Sequence, residues 1–131
     1  MSLTSFILKR AMPLPKLTEF ERFLFIGPHP DDIEVGAGAS AAALAAAGKK
    51  VAFLVCTDGR YGTENADLGL SSDELAALRQ KESIASAAVL GVEDVRFLGL
   101  SDGGFYTEEA LLQGIAQAVS GFQPDLILAS L

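Results

Sequence analysis

The sequence holds one cysteine, one histidine and few basic residues, and each shortage excludes a class of protein. Cys56 alone cannot form an internal disulfide, so the chain makes no use of an oxidising compartment. Its place inside an apolar run marks it as a small buried core residue rather than a catalytic thiol. Ten Lys and Arg against 17 Asp and Glu leave a net charge of -7. Such a surface repels a phosphate backbone, which needs clustered basic residues, so nucleic acid is not an expected partner. No stretch reaches the roughly 18 apolar residues of a membrane span. The longest candidate, around Ala39 to Ala47, ends in Gly48-Lys49-Lys50, and no membrane is expected as a partner. Met1 to Leu17 has only the patch Phe6-Ile7-Leu8, followed by Lys9, Arg10 and two prolines, which is the wrong order for a secretion signal. Residues 1–21 read as a loosely ordered leader, and the protein is expected to be soluble and cytoplasmic. Internal repeats, low-complexity tracts and interdomain linkers are also missing.

What is present is a chain of 131 residues, half of them hydrophobic, enough for the core of one domain. From Arg22 onward, short β-rich runs alternate with longer helical patterns, the signature of βαβ units and a parallel sheet. The first strand is predicted over Phe23 to Gly27, with a helix from about Glu34 to Ala47 stopped by Gly48. Val51 to Thr57 predicts strand two. After a polar, Gly-rich loop from Asp58 to Leu70, Ser71 and Glu74 have capping-box spacing and open a helix carrying Leu75, Leu78, Ile84 and Leu90. Val95 to Leu98 predicts strand three, Thr107 caps a helix through Val119 that Gly121 stops, and Leu126 to Ala129 predicts strand four. The expected fold class is α/β: a Rossmann-like three-layer α/β/α sandwich with a mainly parallel sheet, incomplete and represented by its first four βα units.

Ligands of open parallel sheets sit outside the carboxyl ends of the strands. There the sequence places His29, Asp31 and Asp32 after strand one, Thr57, Asp58 and Arg60 after strand two, and Ser101 and Asp102 after strand three. Three ionisable groups in His29-Pro30-Asp31-Asp32, directly after a buried strand, demand compensation of their charge. One Asp capping the helix is ordinary. A cap does not account for the second carboxylate, the proline and the only histidine, and the combination favours a metal site. Glu34 either orients a ligand or supplies first-turn charge to the helix dipole. Arg60 and Tyr61 sit in a loop long enough for a lid, though loop residues of this kind are commonly just solvated.

Pro28-His29-Pro30-Asp31-Asp32-Ile33-Glu34 with Gly36-Ala37-Gly38 resembles the first signature of the LmbE/PIG-L deacetylases. Thr57-Asp58-Gly59 with Gly62-Thr63 is similar to the family's second loop, Arg79-Gln80-Lys81-Glu82 with Leu90-Gly91 to its second helix, and Leu98-Gly99-Leu100-Ser101-Asp102-Gly103 to its third loop. The resemblance implies that His29 and Asp32 bind zinc and that Asp31 is the general base for zinc-activated water. The water would attack an N-acetyl carbonyl and release acetate and an amine. It further implies that Arg79 and Asp102 contact the substrate, a small acetylated amino sugar of the N-acetylglucosamine type. Against these stand plainer readings: Arg79 and Glu82 at (i, i+3) spacing as a surface ion pair, and Asp102-Gly103 as a turn.

The family takes its third zinc ligand from a histidine beyond the fourth strand, and the sequence holds only His29. Residues 22–131 are therefore expected to be the amino-terminal part of one such domain, with weak zinc binding and little or no activity alone. Strand four would leave a sheet edge open to self-association, allowing a homo-oligomer. Two rival readings remain. Gly36-Ala37-Gly38-Ala39-Ser40-Ala41 with Asp58 fits a dinucleotide-binding fingerprint, although Pro28 to Val35 intervene after the strand, and the glycines would then simply permit close helix-sheet packing. A non-catalytic binding module on the same fold is the other.

Overall fold

The computed structural model describes residues 15–62 and 69–130, together with Ser2, Thr4 and Arg10. The leader patch Phe6-Ile7-Leu8, Thr63 and Leu131 lie outside the described residues. After a short 3-10 turn at Leu17–Glu19, the elements run β1 (Arg22–Gly27), α1 (Asp32–Ala46), β2 (Lys50–Thr57), α2 (Ser72–Val89), β3 (Asp94–Leu100), α3 (Glu108–Phe122) and β4 (Leu126–Ala129). The four strands form one parallel sheet in the order β3-β2-β1-β4. The chain thus steps outward from β1 to β3 and then returns to the far side of β1. The strand order reverses between β1 and β4.

Alternation along the strands explains the three layers. In β1, Phe23 and Phe25 face one side with Val51 and Phe53 of β2, and there meet Ile33 and Ala41 of α1 and Ala87 of α2. Leu24, Ala52 and Leu54 face the other side and meet Ala118 and Phe122 of α3. Because successive side chains of a strand point to opposite faces, an uninterrupted apolar run is what a strand covered on both sides requires. Phe20, just before β1, packs edge to face on Phe23 with ring centroids 6.3 Å apart.

The capping box predicted at Ser71 and Glu74 is present: Glu74 N–H donates to the Ser71 hydroxyl at 3.3 Å, and Ser71 N–H donates to the Glu74 carboxylate at 2.9 Å. Donation by the Ser71 N–H and by the Ser71 hydroxyl, the latter at 2.8 Å, holds the Glu74 carboxyl below the usual range. Thr107 caps α3 as expected, its hydroxyl accepting from Ala110 N–H at 3.1 Å. Three expectations need correction. Helix α1 opens at Asp32, two residues before Glu34. Helix α3 runs through Gly121 to Phe122 and ends on Gln123, in left-handed backbone just before Pro124. Gly121 instead leaves room for the Arg96 guanidinium, whose Nη1 would lie 3.3 Å from an added Cβ. Finally, Gly36 and Gly38 do not serve helix-sheet packing: a Cβ at Gly36 meets nothing within 4 Å, and one at Gly38 makes an ordinary 3.5 Å contact with Leu90, which caps the end of α2.

Asp125 ties the two sides of the switch together, accepting from Glu21 N–H at 2.9 Å and Arg22 N–H at 2.8 Å. Beyond β4, no strand pairs with its outer edge among the described residues, and Ile127 stays exposed there. No helix among the described residues is long and apolar enough to cross a membrane.

Candidate active site

The loops after β1, β2 and β3 are laced together at the carboxyl edge. Thr57 donates both its N–H and its hydroxyl to the Pro28 carbonyl, each at 2.8 Å. Asp58 N–H then donates to Leu100 O at 2.9 Å, joining the second loop to the third.

On this frame His29 stands between two carboxylates. Its N–H donates to Asp32 Oδ2 at 2.7 Å, and its Nδ1 lies 3.0 Å from the same oxygen. Its Nε2 lies 3.3 Å from Asp102 Oδ1. A neutral imidazole carries one N–H and can donate to only one of them. Asp102 is also the turn residue of the plainer reading, for its Oδ1 accepts from Gly103 N–H at 2.8 Å. The turn of the plainer reading is therefore present, and the same carboxylate oxygen also faces the His29 ring.

Asp31 occupies the N-cap position of α1 but makes no side-chain cap, and its backbone is left-handed with φ 94. In a residue with a Cβ this conformation costs about 1–2 kcal/mol, and strain of this kind collects at functional sites. The carboxylate turns instead to Arg79, whose Nη2 lies 3.2 Å from Asp31 Oδ2 and donates to Pro30 O at 3.1 Å. Arg79 therefore reaches back to the first motif rather than pairing with Glu82 as the plainer reading had it.

The second loop is shaped around that arginine. A Cβ on Gly62 would come within 2.6 Å of Arg79 Nη1, and one on Gly59, at φ +64, within 3.2 Å of Arg79 Cδ. The sequence singled out these glycines only as motif members, because their contact with Arg79 spans two segments far apart in the chain. Glu34 accepts a short hydrogen bond from the Ser86 hydroxyl and so braces α1 against α2.

Asp58 is the residue that the sequence undervalued. Its carboxylate accepts from Arg60 Nε at 2.8 Å, Arg60 N–H at 3.1 Å and Asp102 N–H at 3.2 Å. Burial pushes this carboxyl up, but the Arg60 side chain, the two N–H donors and the guanidinium charge outweigh it and hold it below the usual carboxylate range. Arg60 also meets Asp73 of α2 at 3.1 Å, so it is anchored at both ends rather than merely solvated. Cys56 is buried, which pushes its thiol up, as a core residue requires.

Three hollows border the motif among the described residues, the most voluminous of them, about 370 Å³, lined by Pro30, Thr57, Asp58, Arg60 and Asp73. One of about 230 Å³ opens between the ends of β1 and β4, lined by Asp32, Ile33, Gly36, Leu128 and Ser130, where an open sheet of this order binds ligands. Another, about 160 Å³, is lined by Asp31, Glu34, Arg79, Glu82 and Ser86. The glycines of the dinucleotide reading lie past the first residues of α1, inside the helix, so they cannot form the tight turn that receives a pyrophosphate.

Residues 24–131 match the PIG-L family, described as GlcNAc-PI de-N-acetylase. The chain belongs to this family. It is 33% identical over 111 residues to a diacetylchitobiose deacetylase of Thermococcus kodakarensis, an alignment covering 84% of this chain and 40% of that protein. It is 38% identical over 103 residues to the 1D-myo-inositol 2-acetamido-2-deoxy-alpha-D-glucopyranoside deacetylase of Kineococcus radiotolerans, covering 76% and 28%. Among solved structures, the N,N'-diacetylchitobiose deacetylase of Pyrococcus horikoshii, complexed with an inhibitor, superposes with a TM-score of 0.82 at 28% identity, covering 97% of this chain and 49% of that one. This PIG-L chain spans less than half the length of these relatives, which are deacetylases of acetylated amino sugars.

Proposed function

We propose that this chain carries the metal-binding and proton-accepting part of a zinc-dependent N-deacetylase acting on N-acetylglucosamine-type conjugates. The observation that carries the reading is the division of labour at the first motif: His29 and Asp32 face each other at 3.0 Å while Asp31, next in sequence, turns away to Arg79. The relatives' named substrates, diacetylchitobiose and an inositol-linked glucopyranoside, are two-ring conjugates, and we assign the same class here.

The donors suit zinc. One imidazole nitrogen and one carboxylate oxygen lie 3.0 Å apart on a partly exposed rim, and zinc takes N and O ligands at about 2.0–2.2 Å, so a small opening of the pair admits one ion. They supply two ligands. Among the described residues no group of three or more His, Cys, Asp and Glu side chains is placed to hold a metal ion. When bound, zinc supplies Lewis-acid polarisation of the amide carbonyl and acidifies water.

The chain's own residues do the rest. Asp31, outside the ligand pair and exposed to solvent, accepts the proton released as water attacks the acetyl carbonyl, and returns one to the departing amine. Arg79 holds the Asp31 carboxylate and the Pro30 carbonyl at once, keeping the base in place through its backbone as well as its side chain. Asp102, anchored through its N–H to Asp58, offers its carboxylate as an acceptor for sugar hydroxyls.

The test is calorimetric titration of zinc into the chain and into His29→Ala and Asp32→Ala, with a nicotinamide cofactor as the control ligand. Stoichiometric zinc binding to the parent protein, lost in both variants, supports the reading. Zinc binding that survives both substitutions, or cofactor binding in its place, overturns it. Acetate release from N,N'-diacetylchitobiose, measured on the full-length parent protein because residues 22–131 are expected to have little activity alone, then separates an enzyme from a binding module.

A further inference from the structure

Two aromatic side chains stand exposed on the rim beside the site, and no step of the proposed chemistry uses them. Tyr61, in the loop after β2, and Phe105, in the loop after β3, meet edge to face with centroids 6.3 Å apart and planes at 63°. They remain 54% and 77% exposed. Both rings rest on Gly103, where the backbone is left-handed (φ +88) and an added Cβ would come within 3.3 Å of each ring. The pair is therefore seated on the turn that carries Asp102, whose carboxylate lies 3.3 Å from His29 Nε2. Tyr61 is likewise coupled to the site, following Arg60, which is clamped by Asp58 and Asp73. The aromatic pair and the rim thus share the Gly103 turn and the loop of Arg60.

We propose that Tyr61 and Phe105 form the platform for the second ring of a two-ring acetamido-sugar conjugate, the ring that is not deacetylated. This inference rests on the deacetylase reading and deepens it. An aromatic face carries partial negative charge and attracts the C–H groups that line one side of a pyranose, while the ring hydroxyls point sideways to polar partners. Asp102 and Ser101 supply such partners at the same turn. An exposed aromatic pair at the mouth of a site is also the kind of apolar patch that marks a binding surface.

The experiment compares affinities of N,N'-diacetylchitobiose and N-acetylglucosamine for the intact chain by NMR titration. The disaccharide is expected to bind more tightly by roughly two- to tenfold, the advantage of one aromatic contact. In Phe105→Ala and Tyr61→Ala that ratio is expected to fall toward unity, to return in Tyr61→Phe, and to return only partly in Phe105→Leu, which keeps apolar area without the ring. Equal binding of the two sugars by the parent chain, a ratio untouched by either alanine variant, or no saccharide binding at all overturns the platform. Zinc binding at His29 and Asp32 judges the deacetylase reading separately, so the two ideas fail by different measurements.

Discussion

The guanidinium of Arg79 lies 3.2 Å from the Asp31 carboxylate although 47 residues separate them, and the same Nη2 also donates to Pro30 O. A helix side chain thus holds the backbone and the side chain of the first motif together.

Removing that grip is expected to loosen the motif more than the fold. Arg79→Met keeps the apolar stem and deletes the donors, and should cost about 1 kcal/mol in urea denaturation, given a partner largely in solvent. Gly62→Ala should act in the same direction, because its Cβ would sit 2.6 Å from Nη1. If Arg79→Met leaves both the urea midpoint and the amide exchange of residues 29–32 unchanged, the guanidinium is not holding the loop.

The left-handed backbone at Asp31 makes a comparison that cancels the lost side chain. Asp31→Gly and Asp31→Ala both remove the contact with Arg79, but only alanine keeps the Cβ that opposes φ 94. The glycine variant should be the more stable of the two by about 1 kcal/mol, measured by chemical denaturation. Equal stability would mean that the residue relaxes to ordinary backbone once the carboxylate is gone.

Asp58 ties acid stability to the geometry of the third loop. Its carboxyl is held low in the folded chain, so its ionised form stabilises the fold. The contribution is complete above its unfolded value near ~3.9 and is lost as pH falls through that range toward the folded value. Between about pH 5 and pH 3, the parent chain should therefore lose more stability than Asp58→Asn, read as the difference in urea midpoint. A parallel acid response of the two proteins would place the lowered carboxyl elsewhere. At neutral pH the same variant should shift the Gly103 and Asp102 amide signals, since Asp102 N–H loses a charged acceptor.

Zinc should raise the melting temperature of the parent chain in a concentration-dependent way, because a ligand that binds only the folded state stabilises it by RT ln(1 + [L]/Kd). The rise should vanish in His29→Ala and in Asp32→Ala and persist in Asp102→Asn, whose carboxylate faces the other ring nitrogen. Loss of the shift in Asp102→Asn alone would move the metal to the Nε2 side of His29.

Order and type of the strands and helices followed from residues 22–129 alone, because apolar periodicity, the Ser71 and Thr107 caps and Gly48 are local signals that act within a few residues. The same locality singled out His29, Asp31 and Asp32, neighbours in the chain whose chemistry is improbable at a strand end. Local signals stop where the chain folds back on itself. That Arg79 chooses Asp31 over Glu82, that Asp58 holds Asp102, that Gly121 yields to Arg96 inside α3 and that Tyr61 meets Phe105 were decided only in three dimensions. Each is a contact between segments brought together by the parallel sheet, which sets the ends of β1, β2 and β3 side by side whatever their separation in sequence.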